Sequence, residues 1–183
     1  MNELAPEFSR IIQPEKLSPT GREEVLEPKP TERLALAKRF DLIELQRLVA
    51  TLSLKPELRG AVAVKGRVEA DVVQRCVVTL EPLSSHLDMA INMIFVPESL
   101  QRGGAGSPDI ENSDEDVEYY AHNKIDLGEL IAQHLGINLD PYPRKPDAAL
   151  EQTEFGQPDQ NPHPLAQLAV LTKKTNKDDK TSD

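Results

Sequence analysis

A chain of 183 residues with 38% hydrophobic but only 4% aromatic residues, and no Trp, has room for one domain with a modest aliphatic core. Its net charge of -10 excludes indiscriminate coating of nucleic acid, because phosphate binding relies on Lys and Arg displacing condensed counterions. No run approaches the roughly 18 apolar residues of a membrane span, the start MNELAPEFSR lacks the blocks of a secretion signal, and the single Cys76 precludes an internal disulfide, so a cytoplasmic location is expected.

Phe8 to Gln13 reads as a short edge strand, followed by a Pro- and Gly-punctuated connection to Pro30. Thr31 offers an N-cap for a helix through Phe40, with Leu34, Ala37 and Lys38 at helical spacing. Asp41 and Glu44 have the spacing of a second capping box over one or two turns. The period then changes to two: Leu48, Ala50, Leu52 and Leu54 alternate with Val49, Thr51, Ser53 and Lys55, and a half-buried strand is preferred over a continuing helix.

The clearest alternation runs from Ala61 to Val78. Val62, Val64, Val68, Ala70, Val72, Cys76 and Val78 share one face, with Lys65, Arg67, Glu69, Asp71 and Arg75 on the other. Glu81-Pro82 marks a turn, and Leu87, Met89, Ile91, Met93 and Phe95 alternate back as an antiparallel partner. Gly66, inside the first of these strands, predicts a bulge or sharp bend. Residues 98–113, with Gly103-Gly104-Ala105-Gly106, read as a flexible insertion; the acids between Asp109 and Glu118 read as a solvated stretch overlapping its end, and Val117 to Tyr120 as a short strand.

Next comes IDLGELIAQHLGINLDPYPRKP, from Ile125 to Pro146. Asp126 and Glu129 have capping-box spacing, Leu127, Leu130, Ile131 and Leu135 form one apolar stripe, and Gly136 is the expected stop. Asp140-Pro141-Tyr142-Pro143-Arg144 is a stiff extended exit carrying an amphipathic ring and a cation. Beyond it the composition turns to Gln, Pro, Asp and Asn, predicting a disordered tail over 148–183. That tail contains a leucine motif at 164–171, in which Leu165, Leu168 and Leu171 recur every third residue and suit docking on this domain or on a partner.

Catalytic constellations are scarce. Cys76 lies on the apolar side of its strand, where an inert buried thiol is the expectation. His86, His122, His134 and His163 have no ligand spacing, one cysteine builds no zinc site, and the glycine cluster lacks the strand, helix and lysine of a phosphate loop. Capping accounts for Asp126 and Glu129. No enzyme activity, cofactor, metal or small-molecule substrate is expected, and a hydrolase or nuclease ranks last.

Three stretches, in order, carry a resemblance: Val72-Val73-Gln74-Arg75-Cys76-Val77-Val78-Thr79-Leu80-Glu81-Pro82, then Ile125-Asp126-Leu127-Gly128-Glu129-Leu130, then Asp140-Pro141-Tyr142-Pro143-Arg144. Together they resemble the YceD family of large ribosomal RNA subunit accumulation proteins, most nearly its alphaproteobacterial branch. Pro164-Leu165-Ala166-Gln167-Leu168-Ala169 is similar to that family's terminal Pro-Phe-Ala-x-Leu-Ala pattern, with Leu for Phe. The resemblance implies a bacterial cytoplasmic, non-catalytic factor required for synthesis, processing or stability of large-subunit (23S) ribosomal RNA. Many members carry Cys-x-Arg-Cys where this chain has Val73-Gln74-Arg75-Cys76, and a further cysteine near Lys145-Pro146. No metal or redox role carries over to a chain that lacks both.

The expected fold is a single α+β domain over 1–147, with a mainly antiparallel sheet, barrel-like closure left open, and two or three short helices. The expected partners are a ribosomal RNA precursor or ribosome-assembly proteins, with no membrane. Lys65, Arg67, Arg75, Tyr142, Arg144, Leu165 and Leu168 are the candidate contacts, and Cys76, Asp126 and Glu129 the structural positions. The alternative function is an acidic protein-interaction adaptor acting indirectly on ribosome assembly.

Overall fold

The structure, a computed structural model, describes residues 6–101 and 116–148. Its centre is a run of three long antiparallel strands, β3 (Glu44–Pro56), β4 (Val62–Arg75) and β5 (Pro82–Pro97). Period-two alternation in all three puts Leu48, Ala50, Leu52, Leu54, Val62, Val64, Val68, Ala70, Val72, Met89, Ile91, Met93 and Phe95 on one buried face. Burying each large aliphatic side chain there contributes about 2 kcal/mol, which makes a one-residue register slip prohibitive. The sheet continues through β2 (Arg22–Leu26) beside β3 and β6 (Asp116–Tyr120), parallel to β5, in the order β2-β3-β4-β5-β6. It stays open among the described residues, so the sheet is mainly antiparallel and does not close into a barrel.

Two helices cover the buried face. The first, α1 (Pro30–Arg39), lies against β3, and α3 (Leu127–Asn138) against β5, so that Leu36, Leu127, Ile131 and Leu135 complete the core with Phe8 and Ile125. A separate two-stranded ladder, β1 (Ile11–Ile12) with β7 (Ile125–Asp126), ties the N-terminal segment to the start of α3. The expected edge strand at Phe8 to Gln13 is thus real but only two residues long.

Several expectations fail for identifiable reasons. The connection before Pro30 contains β2, whose REEVL sequence lacks alternation because Val25 is exposed and Leu26 alone is buried; main-chain bonding to β3 holds it. The cap of α1 is Lys29, with Pro30 in the first turn, and the Lys29 amide donates to the Glu32 carboxylate at 2.6 Å. Thr31 is inside the helix, and Leu34 faces solvent while Leu36 and Ala37 are buried. Asp41 and Glu44 form no capping box: Asp41 turns the chain at φ 51° and Glu44 starts β3.

Gly66 sits in unbroken register between Leu52 and Ile91, with the one register shift at Leu45/Arg47 instead of a bulge at the glycine. A Cβ at Gly66 would run into the Thr51 carbonyl oxygen, so close backbone approach selects glycine there. Gly136 does not stop α3; it lies inside the helix where a Cβ would meet the Phe40 ring at 2.8 Å. Residues 98–101, expected in the insertion, form the short helix α2 (Glu98–Gln101). The rest of that insertion, the tail from residue 149, and Leu165 and Leu168 lie outside the described residues.

Candidate functional site: a clamped exit at the end of the long hairpin

Strand β4 ends at Arg75, and the chain returns to β5 through Cys76 to Glu81. Two backbone bonds close this turn, Leu80 N–H to the Cys76 carbonyl at 2.9 Å and Cys76 N–H to the Glu81 carbonyl at 2.9 Å. Leu80 takes φ 60°, a left-handed conformation that bulky side chains avoid, and is 64% exposed. Val77 is exposed beside it.

The segment leaving α3 is fastened to this turn. Gln74 Nε2 donates to the Asp140 carbonyl at 2.9 Å, and Val77 N–H to the Pro143 carbonyl at 2.9 Å. The Lys145 ammonium reaches the Glu81 carboxylate at 2.5 Å and holds that carboxyl below its usual range. Within the segment, Tyr142 N–H bonds Asp140 Oδ1 at 2.9 Å, and two prolines fix its φ values. Pro143 is buried, whereas Arg144 is exposed and Tyr142 is 74% exposed. The fastening therefore fixes the backbone and leaves the ring and the guanidinium in solvent. Arg75 stands in the chain between Gln74 and Val77, the two residues that bond the segment.

Charge pairing sets this place apart. Arg10 pairs with Glu32, Arg22 with Glu24, Arg33 with Glu27, Arg39 with Glu7 and Glu129, Arg47 with Glu69, and Arg67 with Asp88. Arg75 and Arg144 have no carboxylate partner among the described residues. In a chain with ten more acids than bases, such a guanidinium two residues from an exposed tyrosine, with a second at the end of the strand whose turn holds the segment, is notable.

The outer face of β4 differs. Lys65 and Arg67 project there, over a groove of about 480 Å³ that also involves Arg47, Thr51 and Glu69. Arg67 is engaged by Asp88, whose carboxyl it holds down, Arg47 by Glu69 at 2.8 Å, and Asp71 by His86 at 2.6 Å. In the two arginine pairs opposite charges thus meet across neighbouring strands. At the far end of β4 a cleft of about 530 Å³ opens among Pro14, Pro56, Pro97, Tyr120 and Asn123. The Tyr120 hydroxyl donates to the Gly60 carbonyl there at 2.7 Å, and none of the candidate contact residues named from the sequence lines it.

Cys76 is buried, just past the end of β4. Hydrogen bonds from Thr79 above all, and from the Lys145 and Val78 amides, lower its pKa to about 6 against the effect of burial. Asp126 caps α3, accepting from Gly128 N–H at 3.0 Å and Glu129 N–H at 3.4 Å. It also accepts from Ser9 Oγ at 2.5 Å and Arg10 N–H at 2.7 Å, which locks the N-terminal segment to the helix. Glu129 does not reach back to complete a box; it pairs with Arg39 at 2.8 Å, and that bond lowers its carboxyl pKa. Among the described residues no group of three or more His, Cys, Asp or Glu is placed to hold a metal ion, and no helix is long and apolar enough to cross a membrane.

The fastened turn and exit both fall within the segment that comparison with known proteins picks out. A family model described as large ribosomal RNA subunit accumulation protein YceD matches residues 64–177, well over half of the chain. The chain belongs to the YceD family. No curated protein and no solved structure matches it. In this YceD chain the matched span begins inside β4 and runs through the turn, α3 and the exit; the stretches 72–82 and 140–144 meet at the clamp, whereas 125–130 lies at the start of α3 against the N-terminal segment. Sequence reasoning picked out Arg75, Tyr142 and Arg144 but not Val77, Leu80 or Lys145. The Val77–Pro143 backbone bond, the Leu80 conformation and the Lys145–Glu81 pair reveal those, and none leaves a local pattern.

Proposed function

We propose that this YceD protein is a cytoplasmic, non-catalytic factor required for the synthesis, processing or stability of large-subunit (23S) ribosomal RNA. It acts by holding a ribosomal RNA precursor or an assembly protein at the clamped exit. Membership of an rRNA accumulation family carries the reading. The geometry supports it: a fastened backbone presents an aromatic ring and the Arg144 guanidinium, with Arg75 at the adjoining strand end, neither cation having a carboxylate partner among the described residues, an arrangement suited to binding. Lys65 and Arg67, and Leu165 and Leu168 in the tail, are proposed as auxiliary contacts.

A second reading, an acidic adaptor that acts on RNA indirectly, is favoured by exposed Val77 and Leu80 next to the exit, since apolar side chains without phosphate-binding capacity suit a protein partner. Affinity capture from lysate with and without ribonuclease separates the two. Capture of assembly proteins that ribonuclease abolishes supports RNA-mediated contact; capture that resists it supports the adaptor. If deleting the gene leaves large-subunit RNA at its normal level, both readings fail.

A further inference from the structure

We infer that the clamped exit is a binding site for single-stranded RNA, with an unpaired base stacking on Tyr142 and flanking phosphates held by Arg75 and Arg144. This rests on the proposed function and deepens it by assigning the ligand class and the residues that take it. Three observations carry it. The first is electrostatic: the other described arginines have partners, six of them carboxylates, while Arg75 and Arg144 have none among the described residues, so their planar donor forks are open to an anion. A net charge of -10 means that contact with a polyanion has to be local, and these open donor forks offer such a place.

The second is preorganisation. Val77 and Gln74 hold the Pro143 and Asp140 carbonyls, Lys145 is anchored on Glu81, and the prolines stiffen the backbone between. Tyr142 and Arg144 are thus displayed with little ordering left to pay for on binding. The third is chemical. A 74% exposed phenol ring, two residues from a free guanidinium, offers a stacking platform that any unpaired base can use. A duplex keeps its base faces stacked inward and cannot use the ring, so the site selects single strands. The outer face of β4 around Lys65 and Arg67 lacks this combination: Arg67 is already engaged by Asp88, no aromatic residue lies on β4, and Arg75 alone on that face reaches the strand end where the exit is fastened.

The test is fluorescence anisotropy with the full chain, a labelled single-stranded oligouridylate and the matching duplex, across a salt series. The expected result is binding of the single strand in preference to the duplex. Tyr142→Ala should weaken it about tenfold and Tyr142→Phe should restore it, the size expected for one stacked base. Arg75→Gln with Arg144→Gln should flatten the slope of log affinity against log salt by roughly 1.4, the loss of two single-strand phosphate contacts. Arg47→Gln, which removes a cation outside the clamp, should leave both quantities unchanged. The inference is overturned if the single strand is not bound, if the duplex binds as well, if Tyr142→Ala binds like wild type, or if Lys65→Gln with Arg67→Gln abolishes binding while the clamp variants do not. Should the oligonucleotide go unbound while Tyr142→Ala cells still lose large-subunit RNA and ribonuclease-resistant capture persists, the ligand is a protein: this inference falls and the proposed function stands.

Discussion

Asp126 does more than its spacing in the sequence announces. A cap alone contributes about 1 kcal/mol, but this carboxylate accepts from Ser9 and Arg10 as well as from the first turn of α3, so its removal strands four donors. Asp126→Ala should lower the unfolding free energy by about 2 to 3 kcal/mol in urea titrations, with Asp126→Asn intermediate because the amide oxygen still accepts. Glu32 gives a pH signature. Its bond from Arg10, aided by the Lys29 amide and opposed by burial, lowers its pKa from 4.5 to about 2. A depressed carboxyl contributes stability that is fully present above its unfolded pKa and is lost as pH falls through the folded one. The stability gap between wild type and Glu32→Gln, about 1 kcal/mol near neutrality, should therefore shrink between pH 4.5 and 2. A gap that stays constant over that window would show that the pair contributes nothing. Cys76→Ala should cost about 1 kcal/mol and leave RNA accumulation intact, measured by thermal melting and complementation.

At the scale of elements, legibility followed burial. β4 and β5 were readable because each buries one face over much of its length, and Val62 to Val72 alternate with charged residues for most of the strand's length. β2 was not, since an edge strand held by main-chain bonds needs no apolar period. Asp41 and Glu44 mimicked a capping box because cap and turn chemistry share the same residue types, and tertiary pairing with β4 decided the outcome. Both glycine readings failed alike: Gly66 and Gly136 are selected by neighbours distant in sequence, Thr51 and Phe40, which no local pattern reveals. Gly66→Ala should therefore destabilise the domain by about 2 kcal/mol or more by forcing the Thr51 carbonyl away and prying β3 from β4. A variant as stable as wild type in urea would mean that the strands yield at that point without cost.

For the whole molecule, the hairpin end and the exit form one built place, where two arginines stand without carboxylate partners among the described residues. The candidate site was legible only in part. Tyr142 and Arg144 stood out through their prolines, and Arg75 through its strand position, yet the bond that fastens the exit to the end of β4 joins residues 66 positions apart. The central claim is that this place serves large-subunit RNA. Its most direct test is the ratio of large- to small-subunit ribosomal RNA in cells lacking the chromosomal gene and supplied with wild-type protein or the Arg75→Gln, Tyr142→Ala, Arg144→Gln triple variant at equal abundance. The account predicts a normal ratio with wild type and a lowered one, close to that of the deletion, with the variant; a normal ratio with the folded triple variant would contradict it.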